Sequence, residues 1–91
     1  MKHEFDKPVK FEEKEYKHID LNLDSLTGKD MSVIKRQWAG EGNFSPVPAA
    51  DMTFCEYVAA HASKMPQEFF EALPAKEYMK VTQAVSNFLL T

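Results

Sequence analysis

"YKHIDLNLDSLTGKDM", residues 16–31, changes period halfway along. Its first half alternates: Ile19, Leu21 and Leu23 fall on one face, Asp20, Asn22 and Asp24 on the other, the mark of a half-buried strand. Its end reads as a helix start. Thr27 is a good N-cap, and Asp30, three residues on, places a carboxylate where the helix N-terminus favours one. It is a near relative of the capping box, which prefers Glu or Gln there. Met31, Ile34 and Trp38 then recur at helical spacing, with Lys35 and Arg36 turned away.

Working backward, "FDKPVKF" at 5–11 reads as a strand with Phe5, Val9 and Phe11 on one face. Pro8 cannot donate to a ladder, which places this strand at an edge. "EEK" at 12–14 has hairpin-loop length, and residues 15–23 form the return strand. A lone two-stranded hairpin is marginal in water, so its apolar face must rest on something.

Working forward, the first helix ends near "AGEGN", where Gly40 and Gly42 cost helix stability. A Gly/Pro loop follows at 42–51. Pro48 suits the first residue of a second helix over about 48–63. Met52, Cys55, Ala59 and Ala62 make its apolar stripe, widened by Val58, and Cys55 is expected to be buried and unreactive. Pro66 opens a short third helix, "PQEFFEAL". Pro74 breaks it and starts the last one, 75 to about 90, with Tyr78, Thr82, Val85 and Leu89 at 3–4 spacing and Val81 and Phe88 beside them. The expected fold is α+β and mostly helical. It is a single domain over 1–91, with a β-hairpin at 5–23 and a three- to four-helix bundle at 28–90.

Bulk properties narrow the function. The chain has 91 residues and a formal charge of -3, with no basic arm. Nucleic-acid binding, which needs a basic surface, is not expected. No secretory signal or membrane-spanning run is visible, and the single cysteine forms no internal disulfide. A domain of this size has a modest stability margin, so self-association is a further option.

The chemistry-bearing residues are scattered. His3, His18 and His61 lie on a tail, a strand and a helix. Cys55 and His61, six apart, sit about 120° off each other's face, poor ligand geometry. "TGKD" lacks the glycine spacing and ending of a phosphate loop. Glu68 with Glu71, and Glu12 with Glu13, read as solvated surface. No enzyme, cofactor, metal or small-molecule substrate is expected. Trp38, Phe44 and Val47 are the candidate partner-binding residues, because aromatics dominate interface hot spots and the loop leaves packing least assured. The competing reading, and the one preferred from sequence, is a loop tucked onto the core.

Three stretches taken in order, "KPVKFEEKEYKHIDLNLDSLTGKDM", "GNFSPVP" and "EALPAKEYMKVTQAVSNFLL", closely resemble small phage tail assembly chaperones of the E/41/14 type. The likeness runs from about Lys7 to Leu90. "LDSLTGKDM" and "ALPAKEYMKVTQAVSNFLL" are its most specific parts. Glu77 stands where the family often has Asp, which reads as a neutral exchange of acids in a helix's first turn. The resemblance implies a non-enzymatic protein of the infected host's cytoplasm, absent from the mature virion. It implies binding to the tape measure protein, a long helical rod kept soluble while tail tube subunits are recruited. A structural tail component, such as a completion or connector protein, and a small protein-binding regulator are the alternatives.

Overall fold

A computed structural model describes all 91 residues. An antiparallel hairpin, β1 (Lys2–Phe11) and β2 (Lys14–Asp20), precedes four helices: α1 (Gly28–Gly40), α2 (Met52–Ser63), α3 (Gln67–Glu71) and α4 (Ala75–Leu90). The chain is 57% helical and 19% strand, so the fold is α+β and mostly helical.

The strands turn through Glu12 and Glu13, both left-handed, with φ of 50° and 66°. Two such residues in a two-residue loop match the twist of the flanking strands, though Asn-Gly is the usual choice. The register is not continuous. Glu4 faces His18, yet Val9 faces Tyr16, so Phe5, Asp6, Lys7 and Pro8 bulge opposite Lys17 alone. Pro8 therefore sits in a bulge, where its missing N–H costs no ladder bond.

The strands also run over different residues from those expected, 2–11 and 14–20 in place of 5–11 and 15–23. Leu21 still bonds the backbone of Met1, and Leu23–Ser25 then forms a single 3-10 turn. Ser25 Oγ donates to Asn22 O at 2.8 Å, the local bonding that lets Ser and Asn end a strand. Ile19, Leu21 and Leu23 are buried, as their alternation requires.

The helix start at Thr27 forms as the sequence suggests. Asp30 N donates to Thr27 Oγ1 at 3.3 Å, and Thr27 N donates to Asp30 Oδ2 at 2.9 Å, a complete capping box. At the other end Gly42 takes φ of 90°, and Asn43 Nδ2 bonds the Trp38 carbonyl at 3.0 Å. Because α1 runs to Gly40, Lys35 and Arg36 lie before its last turn.

Pro48 does not begin the second helix. It begins a separate 3-10 turn, Pro48–Ala50, and Asp51 then caps α2 by accepting from Phe54 N at 2.9 Å. A carboxylate at Asp51 satisfies an orphan N–H that Pro48, three residues earlier, has no means to reach. From Phe54 to Ala59 every residue of α2 is buried, because α2 packs against α1, α3, α4 and the hairpin. Met52, expected on its buried stripe, lies one turn before this packing closes and is 47% exposed.

The hairpin rests on α3. Phe69, fully buried, meets Phe5, Phe11 and Tyr16 at ring-centroid distances of 6.1, 5.4 and 5.1 Å, the last two edge-on. A five-residue helix thus carries the central knob of the hairpin's apolar face.

Candidate partner-binding surface

The three residues singled out from sequence separate in space. Trp38 is 3% exposed and packs edge-on against Phe54, with centroids 5.2 Å apart. It offers no surface, which corrects its assignment as a contact residue: its i+4 spacing from Ile34 turns it into the core beside α2. Its indole N–H has no partner in that core. Phe44 and Val47, by contrast, are 85% and 52% exposed, so these two side chains are not tucked onto the core, although the Pro48–Ala50 turn of the same loop packs against α2 and α4.

A second open apolar region lies beside the last helix. α2 and α4 lie side by side, and a trough of about 400 Å³ opens at one end of their seam. Met52 and Glu56 line it from α2, Ala75, Tyr78 and Met79 from α4, and Glu71 and Leu73 from the segment between. A narrower hollow of about 50 Å³ continues along the seam past Cys55 and Ser86, sharing Met52 and Met79 as its rims. Ala50 lines that hollow, and the exposed Val47 stands immediately before the same 3-10 turn. Phe88, expected beside the buried stripe of α4, is 41% exposed, although it shares a side of the helix with the buried Val81 and Val85.

The trough's floor is polar. Glu56 is buried, and its two carboxylate oxygens accept from Tyr78 OH at 2.8 Å and Gln67 Nε2 at 3.3 Å. Loss of solvation raises the Glu56 carboxyl above its ordinary range, more than the Tyr78 and Gln67 bonds lower it. The Tyr78 hydroxyl is raised as well, first by burial and then by its bond to Glu56. Burial pushes the Cys55 thiol up to about 11, with Asp51 adding to the effect. At neutral pH that thiol is protonated and a poor nucleophile, consistent with a packing role.

The histidines stay apart. His3 Nε2 sits 3.1 Å from Glu77 Oε1, His61 is 3.7 Å from Asp30, and His18 is exposed on β2. Glu77 does more than place an acid in a helix's first turn. It is 5% exposed, and its other oxygen accepts from Asp6 N at 2.9 Å. The carboxylate thereby fills a backbone N–H that the β1 bulge leaves without a strand partner.

One sequence signal pointed toward the trough. Met supplies five of the 91 residues, and this flexible, polarisable side chain is over-used at surfaces that accept varied partners. No family model, curated protein or solved structure matches this chain.

Proposed function

We propose that this protein is a tail assembly chaperone. In this reading it binds a helical segment of a phage tape measure protein, keeps that rod soluble in the host cytoplasm and leaves before the virion is complete. The observation that carries the reading is the apolar surface left uncovered on a small folded domain. Met52 and Met79 edge an open trough, and Phe44 and Val47 are exposed on the loop that precedes α2. Open apolar surface of this kind marks interaction sites. A helix laying its apolar stripe in such a trough needs no chemistry from its host. The sequence resemblance names the rod, and a net charge of -3 suits a holder that must itself stay dissolved. No helix of the chain is long and apolar enough to cross a membrane.

Co-expression tests the reading. The tape measure protein is produced alone, with the native chain, and with a Phe44→Ala chain. Soluble tape measure protein only in the presence of this chain is the expected result. Equal insolubility with and without it ends the chaperone reading. A band for this chain in gels of purified particles favours the structural-component alternative. If Phe44→Ala works as well as the native chain, the loop is not the contact and the trough remains.

A further inference from the structure

The trough carries a charge pattern as well as an apolar one. Its charged residues are Glu56 and Glu71, and no lysine or arginine lines it. Neither carboxylate has an ion-pair partner in the chain, whose pairs are Lys2–Glu4, His3–Glu77, His61–Asp30 and Lys80–Asp6. Glu56 is held by two neutral donors, Tyr78 and Gln67, so its carboxylate is hydrogen-bonded but not balanced by a cation. A buried, unbalanced carboxylate is costly, and an arriving cation lowers that cost. Glu71, exposed at the rim, raises the Glu56 carboxyl further by like-charge repulsion.

Building on the client-binding reading above, we propose that this trough is the client site and that its occupant is a basic amphipathic helix. Apolar residues of that helix seat against Met52, Leu73 and Met79, and a lysine or arginine on its next turn faces Glu71 and Glu56. Apolar walls with carboxylates of one sign at the floor and the rim give both affinity and a preferred orientation. Lys29, Val33 and Arg36 share an outward face of α1, so a second copy of this chain is the rival occupant.

The probes are two fluorescently labelled, stapled helices of about five turns. Both carry the same Leu/Met stripe, one flanked by lysines and the other by glutamates. Anisotropy is read with the native protein, Met79→Asp and Glu71→Lys. Met79 and Glu71 are exposed, and circular dichroism checks that both variants fold. The native chain should bind the lysine helix about tenfold tighter than the glutamate helix, a difference of about 1.4 kcal/mol. Glu71→Lys should erase or invert that preference, and Met79→Asp should weaken both helices by about tenfold or more. Binding of neither helix, equal binding of both, or indifference to Met79→Asp overturns the proposal. So does sedimentation showing an oligomer that Met79→Asp dissociates, because the trough then holds a second copy. Co-expression separates this proposal from the reading beneath it. If native and both variant chains solubilise the tape measure protein equally, the trough falls and the chaperone reading stands. If the native chain fails, the chaperone reading falls, whatever the stapled helices do.

Discussion

Glu77 and Met79 are two residues apart on α4, which turns them about 200° from each other around the helix. One side of the helix is finished and the other is open. Glu77, 5% exposed, bonds His3 and the Asp6 backbone, and Lys80 reaches Asp6 Oδ2 at 2.9 Å beside it. That side holds the hairpin, with Phe69 filling the space beneath. Met79, 48% exposed, meets no such neighbour and rims the trough with Met52. The difference separates internal docking from docking left for another molecule. Inside, directed hydrogen bonds fix one geometry, and a rigid ring fills the gap. At the trough, flexible thioethers leave the geometry to whatever arrives.

The largest break in that contrast comes from Phe69→Ala. It empties the site where Phe5, Phe11 and Tyr16 converge, and should cost about 3–5 kcal/mol in urea unfolding. Met79→Ala, on the open side, should stay within about 0.5 kcal/mol. Similar losses at both positions would remove the distinction between the two sides.

Glu77→Ala strips the acceptor from the partly buried Asp6 N–H and should cost about 1–3 kcal/mol. Its sharper readout is local. Amide exchange at Asp6 should accelerate well before the α2 amides respond. Uniform acceleration across the chain would mean that the hairpin and helices open as one unit. Replacing the hairpin turn with Glu12→Asn and Glu13→Gly should stabilise by about 1–2 kcal/mol, because both positions hold φ above zero, where Asn and Gly carry less strain. A thermal melt that does not rise would show that the turn is not strained.

The trough's own carboxylate gives the smallest effect and a pH signature. Glu56 is raised on folding by desolvation, so its contribution to stability is fully present below its unfolded value and lost as pH rises through the folded one. Asp30 runs the other way. It is lowered, first by the Thr27 backbone N–H, so its contribution is lost as pH falls. Glu56→Gln mimics the neutral acid. Its stability relative to the native chain should be higher at about pH 7 than at about pH 4. Urea midpoints for both chains at both pH values measure this, and a gap that widens on acidification contradicts the assignment.

Much of the fold was legible because its signals are local. The switch from alternation at Ile19, Leu21 and Leu23 to helical spacing at Ile34 and Trp38 lies in adjacent residues, and the Thr27–Asp30 cap closes within one turn. Pro66 and Pro74 punctuate α3 and α4 by the same short-range rules. The bulge at Phe5–Pro8 was not legible, because a strand's register depends on its partner, and the missing ladder bond at Asp6 is supplied by Glu77, 71 residues away.

For the candidate site the balance reverses. Sequence identified Phe44 and Val47 through the looseness of a Gly/Pro loop, and they are exposed. It put Trp38 with them and Met52 in the core, and both placements came out opposite. Periodicity tells which side of a helix is apolar. It does not tell where along that side the neighbouring helix stops. Sequence by itself determined the hairpin, the order and approximate ends of the helices, and an acidic chain rich in methionine. Only the tertiary structure decided that α2 and α4 part at Met52 and Met79, and that Glu56 lies beneath them, because the end of a packing seam is set by two elements distant in the chain.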